Sequence, residues 1–195
     1  NAQESLGATG YFSSPTPGYE NGEPRAGLAA APETNHEHGF YETPFKLALS
    51  SITEGASIRY TTDGSKPTLT TGETYTAPIP IDHTTALRTT AFHKNWLPSK
   101  TLTQTYIFAE DTIRQTSLSA KNSGFPERWD YLTADYDLDQ RVTGLNGKDR
   151  YGGKYTRRLK ESLQSLPSIS IVMDIGDLFG PRGIYSNPER RGATW

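Results

Sequence analysis

Three alternate carboxylates, Asp135, Asp137 and Asp139, are spaced so that a turn could aim their oxygens at one Ca²⁺. A helix–loop–helix calcium loop would require Gly after the third acid and a closing Glu; Gln140 and Arg141 fill those places. Solvated loops and helix N-caps are the competing use of such acids. His36-Glu37-His38 sets two imidazoles two residues apart, on one face if the chain is extended, as some metal sites do. A third ligand is not in view there, and a solvated stretch is the competing reading. Three aromatics, Trp96 in a turn, Tyr41 and Trp129, are candidates for stacking on the C–H face of a sugar ring.

Lys148, Arg150, Lys154, Arg157, Arg158 and Lys160 form a basic stretch interleaved with Tyr151 and Tyr155, a pattern that can meet nucleic acid or acidic glycans. The preceding segment is acidic, through Asp130, Asp135, Asp137 and Asp139, so internal charge pairing competes. Gly147-Lys148 fails as a phosphate loop, because Val142 stands where the first Gly is required and Asp149 replaces the magnesium-binding hydroxyl. His83 and His93 have no nucleophile elbow near them in sequence. A glycosidase would need two carboxylates across a cleft. The catalytic expectation is therefore none.

Composition frames these residues. The chain has 195 residues, 33% of them hydrophobic, and a mean hydropathy of −0.66. That suits a small core with long polar connections. Net charge is −2, so no global field favours nucleic acid. Without cysteine, disulfides and thiolate chemistry are absent. No apolar run approaches the ~20 residues of a membrane helix. The Gly, Pro, Thr and Tyr content is that of a β-rich extracellular protein, secreted or on the cell surface. Asn1 is not an initiator Met and no signal-peptide pattern is present, which leads us to expect a piece of a larger protein.

The elements that must position the candidates are short strands. Phe45, Leu47 and Leu49 alternate with Lys46 and Ala48; Ile58 and Tyr60 share a face of the strand 57–62. Asp63-Gly64-Ser65 is turn chemistry. Pro78 and Pro80 around Ile79 suit an edge. Leu87, Thr89 and Ala91 alternate with Ala86, Arg88, Thr90 and Phe92, and Leu102, Gln104 and Tyr106 with Thr103, Thr105 and Ile107. Tyr60, Phe92 and Tyr106 are the expected core aromatics. One helix is expected at 155–166, with Tyr155, Leu159, Leu163 and Leu166 on a stripe, and a strand follows at 168–173. The fold class is mostly β: an antiparallel sandwich with long irregular extensions and one C-terminal helix plus strand.

The run Ile58-Arg59-Tyr60-Thr61-Thr62-Asp63-Gly64-Ser65-Lys66-Pro67-Thr68, with the strands after it, resembles the immunoglobulin-like domain at the C-terminus of chitobiases and β-hexosaminidases, over about 40–108. The resemblance implies a non-catalytic module, since catalysis in those enzymes belongs to a separate barrel. Leu166-Pro167-Ser168-Ile169-Ser170-Ile171-Val172, Leu178-Phe179-Gly180-Pro181-Arg182-Gly183-Ile184-Tyr185 and then Asp174, Asn187, Pro188, Gly192 and Trp195 resemble the entry to a CotH kinase-like domain, whose catalytic core would lie downstream. Pro15-Thr16-Pro17-Gly18 with Asn21-Gly22 resembles the end of a lamin-tail domain, within 9–22; a Pro/Gly linker is the other reading. The expected organisation is a tail or linker at 1–22, a linker at 23–39, the sandwich at 40–108 and a loop-rich segment with the start of a CotH-like domain at 109–195. The expected function is an accessory spacer whose partners are neighbouring domains of the same polypeptide. Carbohydrate attachment through exposed aromatics, with a polysaccharide or cell-surface protein as partner, and a fragment of a secreted kinase are the alternatives. No nucleic acid and no membrane span are expected.

Overall fold

The computed structural model describes residues 10–20, 22–129 and 132–187. Its centre is a five-stranded sheet made from β2 (Gly39–Phe40), β5 (Ser57–Thr61), β6 (Glu73–Thr74), β8 (Thr85–Phe92) and β9 (Leu102–Ile107). The spatial order is β2-β9-β8-β5-β6. Only β2 runs parallel to its neighbour; the other pairings are antiparallel. Two small pairs lie opposite: β1 (Glu33–Thr34) with β4 (Leu49–Ser50), and β3 (Phe45–Leu47) with β7 (Ile79–Ile81). Period-two alternation decides the faces. Ile58, Leu87, Ala91 and Tyr106 come from the large sheet and Leu47, Leu49, Ile79 and Ile81 from the opposite layer, and they form one buried cluster. The mostly β sandwich read from the alternation, and the immunoglobulin-like architecture that the resemblance implies, are the ones observed.

Two turns show how sequence chemistry fixes the sandwich. Asp63 Oδ1 accepts hydrogen bonds from Ser65 N at 2.9 Å and Ser65 Oγ at 2.6 Å. The Ser65 hydroxyl bond draws the Asp63 carboxyl below its usual range. Gly64 takes φ 84°, a region that a Cβ disfavours, and its carbonyl accepts Arg88 Nη1 at 2.9 Å. In β7, Pro80 contributes no donor to the ladder.

Two features depart from the expected pattern. Phe92 does not join the core: Ala91 beside it is fully buried, so alternation turns Phe92 to the outer face, across from Ser57. The 23–39 stretch lies along the sandwich. Ala29 is 3% exposed, Ala30 N donates to Thr53 Oγ1 at 2.8 Å, and β1 and the first residue of β2 belong to it.

After β9 the chain forms short helices: α1 (Ala109–Ile113), α2 (Ser117–Asn122), α3 (Gln140–Thr143), α4 (Thr156–Ser165) and α5 (Ile175–Phe179). A two-residue hairpin, β10 (Arg128–Trp129) with β11 (Leu132–Thr133), interrupts them. A small aromatic cluster gathers the segment, with Phe125 5.6 Å from Tyr136 and 5.8 Å from Phe179. The expected helix matches α4, in which Leu159 and Leu163 are half-buried. The expected strand at 168–173 belongs to no helix and has no ladder partner among the described residues. Two of its apolar side chains face outward, Ile169 at 89% and Ile171 at 77% exposed, while Val172 and Met173 are half-buried. The reason lies beneath it: the sandwich face there is hydroxyl-lined, and Ser170 Oγ meets Thr105 Oγ1 at 2.6 Å.

Thr89 is fully buried, and its hydroxyl has no hydrogen-bond partner. An unpaired buried hydroxyl costs free energy that an isosteric methyl does not. Thr89→Val should therefore stabilise the chain by about 1 kcal/mol, a rise in Tm of about 2–4 °C by calorimetry.

Candidate functional site

The turn after β8 carries the strongest candidate. Asn95 adopts φ 63°, the only positive φ outside glycine among the described residues. The chain reverses tightly there, with Trp96 N bonded to His93 O at 3.2 Å. The arriving N-terminal stretch then clamps the turn from outside. Ala26 N donates to Asn95 O at 3.0 Å, Leu97 N to Gly27 O at 2.8 Å and Ala29 N to Leu97 O at 3.0 Å. Ser99, 6% exposed, closes the base by accepting from Ala91 N at 2.9 Å.

Gly27 is required by this clamp. A Cβ at that position would sit 2.8 Å from Trp96 Cδ2, so the indole lies flat against bare backbone. His93 meets the same indole edge-on, with ring centroids 4.9 Å apart. An open cleft of about 550 Å³ borders the indole, with Arg25, Ser57, Phe92, His93 and Lys94 also in its walls. Gly27 is not part of that wall, so the cleft lies away from the glycine-covered face. Trp96 is half-buried, which leaves part of the ring for a ligand.

The other expected sites are placed differently. Tyr41 is built into the aromatic cluster, 4.4 Å from Phe45 and 5.8 Å from Tyr106. Its hydroxyl donates to Glu37 O at 2.7 Å, and burial, with Glu37 nearby, raises its pKa. The backbone of Trp129 lies in β10, and its side chain is outside the described part. His36 stacks on Phe45 at 4.2 Å with Nδ1 buried and unbonded, while His38 is exposed.

The acidic trio does not converge. Asp137 Oδ1 takes the Ser117 hydroxyl at 2.8 Å and its backbone N–H, at the start of α2. Asp139 caps α3 by accepting from Arg141 N at 2.9 Å. The Arg141 guanidinium holds its carboxyl down at about 2. Asp135 accepts from Asp137 N at 3.2 Å. Among the described residues no cluster of three or more His, Asp or Glu could hold a metal ion. In the basic stretch, Lys154 sits 5.1 Å over the Tyr155 ring and Lys160 pairs with Glu42 at 3.7 Å.

Residues 36–103 match the family model described as the chitobiase/beta-hexosaminidase C-terminal domain. The chitobiase-type match starts at His36, in the aromatic cluster, and ends inside β9, so it covers most of the sandwich and its core. It includes Phe92, His93, Lys94 and Trp96 but not Arg25. No curated protein and no solved structure matches the chain. The match does not extend to 1–22 or 109–195, and no helix among the described residues is long and apolar enough to cross a membrane.

Of the cleft residues, only Trp96 stands out in the sequence as a ligand-binding candidate. His93 bears there only on catalysis, Phe92 only on the core, and Lys94 on neither. Arg25 is seventy-one positions from Trp96, and the backbone bonds of residues 26–29 to the turn, with the parallel bridge between Leu28 and Leu97, bring it near.

Two measurements follow. Millimolar CaCl₂ should leave Tm unchanged, because a ligand raises stability only where a folded-state site exists; a rise would place calcium on the acidic trio. Burial pushes the Tyr106 phenol up to about 12, against about 10 in an unfolded chain. The folded state thus favours the neutral phenol, and that contribution is complete below pH 10 and lost as pH climbs towards 12. Tyr60, also near 12 through burial and Glu73, acts in the same direction. Tm should fall between about pH 9 and pH 11.5, and less steeply in Tyr106→Phe.

Proposed function

We propose that this chain is a non-catalytic accessory module of a larger secreted or cell-surface protein. In this reading the chitobiase-type sandwich holds the start of a CotH kinase-like domain in a fixed position. The supporting observation is the strap at 168–173. Ser170 is hydrogen-bonded to Thr105 in β9, and a Cβ on Gly64 would meet Met173 O at 3.1 Å. The segment that carries the CotH-like pattern therefore crosses the outer face of the large sheet. Lys160 with Glu42, and Asp111 accepting from Thr84 N at 2.5 Å, tie the rest of that segment to the sandwich. Such contacts suit a rigid spacer. The enzymatic alternative, phosphate transfer from ATP by the parent protein, would draw only its lead-in from this chain.

A second reading is favoured by the cleft beside Trp96: attachment to carbohydrate. The family name is that of sugar-processing enzymes, and an immobilised indole beside polar groups is a common way to hold a pyranose. The cleft and the strap occupy opposite ends of the same sheet face. Phe92 and Ala86 mark those ends, six residues or about 20 Å apart along β8. Both roles can operate together.

The spacer reading is tested by limited proteolysis of the full chain. Thr105→Val with Ser170→Ala should expose the 166–174 stretch to cleavage several-fold faster while Tm changes by less than about 2 °C, as expected for a half-buried and an exposed side chain outside the core. Equal cleavage rates would remove the docked strap from the argument. Incubation with ATP and magnesium should yield no phosphoprotein; labelled product would overturn the non-enzyme reading.

A further inference from the structure

We propose that the cleft beside Trp96 selects a carboxylated sugar, such as a uronic acid residue of a polysaccharide, over its neutral counterpart. The inference rests on the carbohydrate reading above and adds the ligand's chemical class.

The charge of the lining carries it. Arg25 and Lys94 both stand in the cleft wall and both are exposed, and the imidazole of His93 meets the indole edge-on in the same wall. Among the described residues no Asp or Glu lines the cleft. The chain as a whole carries −2, so this positive pair is a local departure from a mildly acidic background. A guanidinium presents parallel N–H groups that match the two oxygens of a carboxylate, and an ammonium adds a mobile point charge.

The apolar wall complements that pair. Trp96 cannot retreat, because Gly27 backs it and three backbone hydrogen bonds hold its turn. Phe92, turned out of the core, extends the apolar side. A platform fixed beforehand adds no ordering cost when ligand arrives. About 550 Å³ admits a short oligosaccharide segment. Nucleic acid is disfavoured, because a phosphate backbone needs a track of cations and this cleft offers one pair.

The test uses the full chain with a trimer of galacturonic acid and the same trimer methyl-esterified, which keeps the skeleton and removes the charge. Binding is followed by calorimetry and by Trp fluorescence. We expect the acid to bind about tenfold or more tightly than the ester, and high salt to weaken the acid alone. Arg25→Gln and Lys94→Gln lie at exposed positions and should preserve Tm. They should lower affinity for the acid by about tenfold together and leave the ester unchanged. Trp96→Ala should weaken both ligands; should it also lower Tm, the glutamine variants still decide the question. Equal binding of acid and ester would overturn the charge inference and leave the sugar reading in place. Binding of neither would overturn both.

Discussion

A phenol hydroxyl buried between two sheets must find its partner inside the protein, at a cost of about 1–3 kcal/mol if it does not. Tyr106 is fully buried and meets that constraint with help from Thr34. Its hydroxyl lies 3.2 Å from His36 O and also contacts Gln104 Oε1. Thr34 Oγ1 faces the same two acceptors, at 2.8 and 3.1 Å. Two hydroxyl protons thus serve two acceptors. Phe45 and Tyr41 pack edge-on against the same ring, at 5.4 and 5.8 Å. The residues before the sandwich are consequently part of its closure: the 34–36 stretch is tied to β9, and β2 is delivered parallel to it.

Much of this was legible in sequence, because period-two alternation is a local signal. Ile58, Leu87, Ala91 and Tyr106 face inward as alternation requires, and Asp63-Gly64-Ser65 turns as its side chains dictate. What was not legible depends on long-range register. Nothing local distinguishes the stretch around Ala29 from a free linker; its attachment comes from distant partners, the Leu28–Leu97 bridge, Asn95 and Thr53. The isoleucines at 169 and 171 read as a buried strand, yet which face turns inward depends on the surface beneath, and here that surface is Thr105. Phe92 shows the same limit within a strand, since hydrophobicity suggested the core and alternation decided otherwise.

The candidate site was legible only as a type. Trp96 in a tight turn announced an aromatic surface, and the structure adds that Gly27 makes it rigid. The cations beside it could not be grouped from sequence, because Arg25 arrives from another part of the chain. The acidic trio illustrates the reverse. Its spacing announced a metal, but each carboxylate satisfies nearby backbone or hydroxyl donors, which is the commoner use of Asp in turns and caps.

Pro80 has an implication for how such sandwiches behave in long polypeptides. An open sheet edge invites strands from adjoining copies to add on, fusing beads that should remain separate. The β3–β7 pair ends in a strand written Ile-Pro-Ile, preceded by a further proline at 78, and an imide nitrogen offers nothing for an incoming strand to bond. A strand arriving at that edge would therefore find no donor at Pro80.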